Sequence, residues 1–141
     1  MTRSRCEAAE LRTVLPATLQ AIERFFTEFR RWQPGMMVCS DAFAAELLLR
    51  EVLTNAVVHG CGQDPSKQVR CALRARPGRL TIAVADDGLG FDWRAAANRT
   101  AEFGETSGRG MEILRAYANR VRFNAPGNSV TIWKRLRKNP I

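Results

Sequence analysis

Apolar residues recur along this chain with two different periods. Between residues 17 and 32, Leu19, Ile22, Phe25, Phe26 and Phe29 are spaced by three and four, which makes one helical stripe. Gln33-Pro34-Gly35 ends it. Ser40 and Asp41, both good helix N-cap residues, precede the most regular stripe of all. There Ala45, Leu48, Leu49, Val52, Leu53, Ala56 and Val57 follow the i, i+3, i+4, i+7 pattern, predicting a helix that runs to about His59 and stops at Gly60. Residues 69–75 and 80–85 read instead as strands, joined as a hairpin around Pro77-Gly78. Residues 11–15 read as a short first strand ending at Pro16. Gly108-Arg109-Gly110 opens a further helix, with Ile113, Leu114, Tyr117 and Ala118 on its apolar face. Strands at 121–124 and 130–136, separated by a turn at Pro126-Gly127-Asn128, close the chain, although Trp133 and Lys134 interrupt the last alternation. The order β-α-α-β-β-loop-α-β-β predicts an α/β fold: a two-layer sandwich with a mixed, mostly antiparallel sheet and helices on one face.

Composition narrows the class. A chain of 141 residues, 45% hydrophobic and 26% charged, suits one domain with one core. No apolar run reaches the ~18 residues of a membrane span, and MTRSRCEAAELR lacks the apolar stretch of a secretory signal. Cys6, Cys39, Cys61 and Cys71 form no C-x-x-C pair, which argues against a zinc site. Free thiols without a signal fit a reducing cytoplasm, so the expectation is a cytoplasmic protein with no membrane partner. The net charge of +8 attracts acidic or phosphate-rich partners without choosing among nucleotide, nucleic acid and acidic protein. The densest basic cluster, residues 134–138, has only Trp133 beside it. Nucleic-acid binding is therefore disfavoured, since it wants interleaved aromatic residues or a recognition helix.

Three short motifs carry candidate chemistry. On the long helix Glu51, Asn55 and His59 are spaced by four and share one side. Asn55 is either a polar residue at the edge of the stripe, capped by a neighbour, or an amide oxygen facing a pocket beside a carboxylate. In the second case it suits Mg²⁺, which prefers oxygen ligands. Asp86-x-Gly88-x-Gly90 directly follows a strand: the glycines let backbone approach a flat ligand, and Asp86 is placed to accept from an exocyclic amine. Asp-Gly is also a common turn. Gly108, Arg109 and Gly110 at a helix start offer backbone N–H groups, a helix dipole and a guanidinium to phosphate. Each motif is weak alone; their order and spacing turn three weak signals into a strong one. The long, polar, poorly periodic stretch 91–107 between the second and third has the character of a functional loop.

With these residues in place, 51–60, 86–92 and 108–114 resemble the N-box and the two glycine boxes of the GHKL ATPase superfamily, the Bergerat fold. The wording REVLTNAVVHG, DDGLGFD and GRGMEIL looks most like the anti-sigma-factor serine-protein kinases of bacterial partner-switching systems. The resemblance covers about residues 10–136 of a single ATP-binding kinase domain spanning 1–141, and it implies a histidine-kinase-type ATPase fold. It further implies ATP with Mg²⁺, Asn55 as the metal ligand, Asp86 as the reader of the adenine amine, and Gly88 and Gly90 as the loop against the base. Gly108, Arg109 and Gly110 would contact phosphates, and Glu51 would be the general base. The partners implied are a STAS-domain anti-sigma-factor antagonist, phosphorylated on serine or threonine, and a sigma factor held inactive; a homodimer is also expected. His59 belongs to the same wording, with a structural role at the helix end and a catalytic one both open.

Alternatives stand beside this reading. A nucleotide-responsive binding module with weak or no kinase activity, controlling a target other than a sigma factor, would need Asn55 and the glycines but not Glu51. A histidine-kinase fragment needs an acceptor histidine, and the one histidine, His59, lies inside the nucleotide helix. A basic nucleic-acid binder would use the glycines only as turns.

Overall fold

The computed structural model describes residues 9–33, 35–90 and 109–137, with the side chain of Arg109 outside that set. The loop expected at 91–107 and Gly108 of the third motif lie outside the described residues. The elements are β1 (Ala9–Pro16), α1 (Leu19–Trp32), α2 (Cys39–Thr54) continued by a π-helical turn (Asn55–Gly60), β2 (Gln68–Arg76), β3 (Arg79–Asp86), α3 (Arg109–Tyr117), β4 (Arg120–Phe123) and β5 (Ser129–Arg135). They form a five-stranded sheet in the order β1-β2-β3-β5-β4. Every neighbouring pair is antiparallel, so the sheet is not mixed as expected. The chain reaches the far edge as β4 and turns back as β5, which slots in beside β3 and removes any parallel pairing.

Strand alternation sorts the sheet into two faces. Across all five strands, Leu11, Leu73, Ile82, Ile132 and Val121 stand in one register row on the face that the helices cover. The helices pack there because their stripes are apolar. All seven α2 positions predicted for the core are buried. In α1, Ile22, Phe25, Phe26 and Phe29 are buried, and Phe26 meets Phe25 and Phe29 edge-on at 5.5 and 6.2 Å between ring centroids. Leu19 departs from this stripe: at 47% exposure it sits in the first turn, before the helix reaches the sheet. The cap there is Thr18, whose hydroxyl accepts from the Ala21 N–H at 3.1 Å. In α3, Leu114 is buried, while Tyr117 at the last position is 36% exposed.

The start of α2 also departs from expectation. Val38 occupies the cap position with no side-chain bond, and Ser40 and Asp41 lie within the first turn. Asp41 is buried and turns to the other end of the chain instead, accepting from the Arg137 N–H at 2.6 Å with the Lys134 ammonium 3.8 Å away. This explains the interrupted alternation of β5. Lys134 is on the core side at the strand end, where it pairs with Asp41, while Trp133 points to the other face beneath Arg120. Cys71 is a core residue whose thiol burial pushes up to about 12, so it is chemically quiet. No helix among the described residues is long and apolar enough to cross a membrane.

Phe26→Ala should cost about 3–5 kcal/mol of unfolding free energy, because it opens a cavity under two helices. Leu19→Ala should stay within about 0.5 kcal/mol, as an exposed substitution does. Denaturant titration of the two variants checks the contrast; equal losses would put Leu19 in the core.

Candidate functional site

The site forms where α2, β3 and α3 meet. The α-helical ladder of α2 ends at Thr54, and Asn55 donates its N–H to both the Glu51 and Val52 carbonyls. The following turn is wider: the Cys61 N–H reaches the Ala56 carbonyl at 2.9 Å, five residues back. Such a π turn is a common device at functional sites, since it re-aims side chains without ending the helix. Glu51, one turn earlier, is half-buried, and the Asn55 side chain is near enough to favour its ionised form. Burial pushes the Glu51 carboxyl above its ordinary range, with the Asn55 side chain and the His59 imidazole pulling the other way.

The Glu51 carboxylate lies directly over Gly110 in the first turn of α3. A Cβ on Gly110 would stand 1.9 Å from its Oε2, so only glycine allows the approach. The N-box and the second glycine box, remote in sequence, therefore touch.

Asp86, the last residue of β3, is 6% exposed. Its carboxylate accepts from the Gly88 N–H at 2.7 Å and from the Cys61 thiol at 3.8 Å. Burial raises its pKa above the ordinary value, against the lowering effect of the Gly88 and Cys61 bonds. The Cys61 thiol is raised in turn, by burial and then by the Asp86 charge. Gly60 and Gly88 make this packing possible. A Cβ on Gly60 would lie 2.7 Å from both Asp86 oxygens, and one on Gly88 would lie 1.7 Å from the Gly60 carbonyl oxygen.

A second support comes from the β4–β5 turn. Gly90 has φ +95° and passes so close to the Pro126 carbonyl that a Cβ would stand 1.8 Å from it. The Asn128 side chain donates to the Gly88 carbonyl at 3.2 Å, and its backbone carbonyl accepts from the Asp86 N–H at 2.9 Å. Asn124 folds that turn by accepting from the N–H groups of Gly127, Asn128 and Ser129 at 2.9, 3.0 and 3.2 Å. Gly60, Cys61, Asn124 and Asn128 are the site residues that sequence reading missed. Gly60 reads only as a helix stop and residues 126–128 only as a turn, since no local spacing shows what they pack against.

Between these walls runs a narrow cleft whose free volume, about 10 Å³, is room for about one water molecule. Val52, Ala56, Val84, Phe123 and Val130 make it apolar, with Asn55 and Asp86 as polar groups. The lining has the chemistry for a flat heterocycle carrying an exocyclic amine, with apolar walls for the ring and a buried carboxylate for the amine, and the cleft must widen to admit one. It also suits a shared Mg²⁺. The Asn55 side-chain carbonyl oxygen is the hard kind of ligand such a cation takes. Among the described residues no group of three or more His, Cys, Asp or Glu side chains could hold a metal. Of the expected site residues, the structure gathers Glu51, Asn55, Asp86, Gly88, Gly90 and Gly110. Gly108 and the Arg109 side chain lie outside the described residues, although the Arg109 backbone begins α3.

Comparison with known proteins agrees with this geometry. The chain belongs to the family of histidine kinase-like ATPase domains, which matches residues 13–134. It is also similar to the sensor histidine kinase YxdK of Bacillus subtilis (strain 168), at 24% identity over a stretch covering 89% of this chain and 44% of that relative. The chain thus spans less than half the length of the relative it matches. Family membership makes this an ATP-binding domain of the ATPase and kinase type.

Asp86→Asn should weaken ATP at least about tenfold and narrow the preference for ATP over GTP, because an amide replaces the acceptor that reads the amine. Calorimetric titration with both nucleotides checks this, and unchanged affinities would remove Asp86 as the base reader. Gly88→Ala should abolish nucleotide binding while leaving the helix content intact, since the added methyl meets Gly60 backbone; retained binding would show that the contact relaxes freely.

Proposed function

We propose that this histidine kinase-like ATPase domain is an ATP-dependent serine/threonine protein kinase and anti-sigma factor. Its substrate is a STAS-domain anti-sigma-factor antagonist, and its second partner is a sigma factor that it holds inactive. The observation that carries the reading is the Glu51 carboxylate, lying over Gly110 at the start of α3 with the Asn55 side chain beside it. A carboxylate there stands between the metal-binding amide and the helix end that favours phosphate.

Glu51 takes the proton of the acceptor hydroxyl as its oxygen bonds to the γ-phosphorus. The bond from the γ-phosphorus to the β,γ-bridging oxygen breaks, and ADP leaves with that electron pair. A carboxyl raised by burial is a stronger base than an exposed one, which suits proton abstraction. The neighbouring Asn55 side chain favours the ionised carboxylate. Mg²⁺, when bound, supplies charge neutralisation at the phosphates. Asp86 and the glycine contacts fix the purine end, so the γ-phosphate is presented at a set distance from Glu51.

Serine or threonine is preferred as the acceptor because residues 51–60, 86–92 and 108–114 resemble the motifs of the anti-sigma-factor serine-protein kinases. Competition between antagonist and sigma factor then follows from differential affinity under changing ATP and phosphorylation states.

Glu51→Gln should keep ATP affinity within about twofold and lower phosphoryl transfer about a hundredfold or more. Transfer by the parent protein should fall as pH drops through the raised Glu51 value, since the ionised carboxylate is the active form. The variant should lack that limb. Labelled ATP with a STAS-domain antagonist reads both. ATP binding without transfer in the parent would favour the binding-module reading, and a normal rate in the variant would place the base elsewhere.

A further inference from the structure

The sheet face opposite the helices is basic and floored with small side chains. One register row crosses all five strands as Arg12, Ala72, Ala83, Thr131 and Arg122, with arginine at both edges and nothing larger than threonine between. The next row adds Val14, Arg70, Ala85 and Ser129, and these residues line an open trough of about 780 Å³. At the hairpin end, Arg76, Arg79 and Arg135 face one another across three strands. Like charges directly opposite each other destabilise a sheet. Arg76, Arg79, Arg122 and Arg135 have no carboxylate partner among the described residues, whereas Arg12 and Arg74 lie beside Glu10 and Arg70 pairs with Asp87 just past the end of β3. Val14 adds an apolar side chain that is 56% exposed.

We infer that this face docks an acidic amphipathic helix of a partner protein, with carboxylates on both flanks of a small-residue or aliphatic stripe. Four strand spacings put Arg12 and Arg122 about 19 Å apart, at about 4.8 Å per strand. A helix about 10–12 Å across fits between them and leaves room for carboxylates on either side. The alanine and threonine floor lets the helix come close, and the arginine fork suits bidentate carboxylate contacts. Two other occupants fit less well. Single-stranded nucleic acid wants an aromatic platform, whereas the one aromatic of this face, Trp133, is covered by the Arg120 guanidinium at 5.0 Å. A second copy stacked face to face would set arginine rows against each other. The surface is on the side of the sheet away from the Asp86 cleft, so the inference stands apart from the nucleotide chemistry.

The test uses the full chain and a helical peptide of about 20 residues carrying glutamates on both flanks of an alanine–leucine stripe. A glutamine version of the peptide and oligothymidine serve as comparisons. The glutamate peptide should bind with a strong salt dependence, and the glutamine version at least about tenfold more weakly. Arg12→Glu with Arg122→Glu should lower affinity at least about tenfold while ATP affinity stays unchanged. Ala83→Gln, which adds bulk to the floor without charge, should also weaken the peptide. Binding that ignores Ala83→Gln would reduce the effect to unspecific charge attraction and overturn the proposal. So would tighter binding of oligothymidine, or a dimer in sedimentation that Arg122→Glu dissociates.

Discussion

The closest constraint in this molecule is the meeting of Gly60, Asp86 and Gly88. A buried carboxylate at the end of β3 is wedged against the end of the α2 helix, and neither neighbouring backbone has room for a Cβ. A buried carboxylate is costly unless it is satisfied, and Asp86 is satisfied by the Gly88 N–H and the Cys61 thiol. The helix end, the strand end and the first glycine box are therefore locked as one unit. The site depends on that lock: Asn55 and Glu51 lie about one and two turns before Gly60, so fixing Gly60 against Asp86 fixes how far both stand from the Asp86 carboxylate.

The same sheet serves two purposes because its residues alternate. One face, built of Leu, Ile and Val, holds the helices and thereby the cleft. The other carries arginine at its edges and small residues in its middle, which leaves the chain's excess positive charge away from the base-binding walls. A nucleotide site thus coexists with a basic surface without the two competing for one ligand.

Much of this was legible from residue order alone, for physical reasons that differ by element. The seven-residue stripe of α2 was readable because a long periodic pattern allows only one buried face. Both hairpins were readable from their turns. The capping of α2 was not: Ser40 and Asp41 have the right local chemistry, but Asp41 is drawn to the Arg137 N–H, a partner at the far end of the chain. Leu19 and Tyr117 match the helical period yet sit at helix ends where the sheet does not reach. The wholly antiparallel sheet depends on where β5 inserts, which no local pattern encodes. In the site, the three motifs named the chemistry, while Gly60, Cys61, Asn124 and Asn128 act through tertiary contacts that spacing does not record.

The account is tested most directly by a crystal of the full chain grown with Mg²⁺ and a non-hydrolysable ATP analogue. It predicts the adenine amine within hydrogen-bonding distance of Asp86, the metal on the Asn55 carbonyl oxygen and the γ-phosphate beside Glu51. An empty cleft with Phe123 and Val130 packed across it, or a nucleotide bound elsewhere on the molecule, would contradict it.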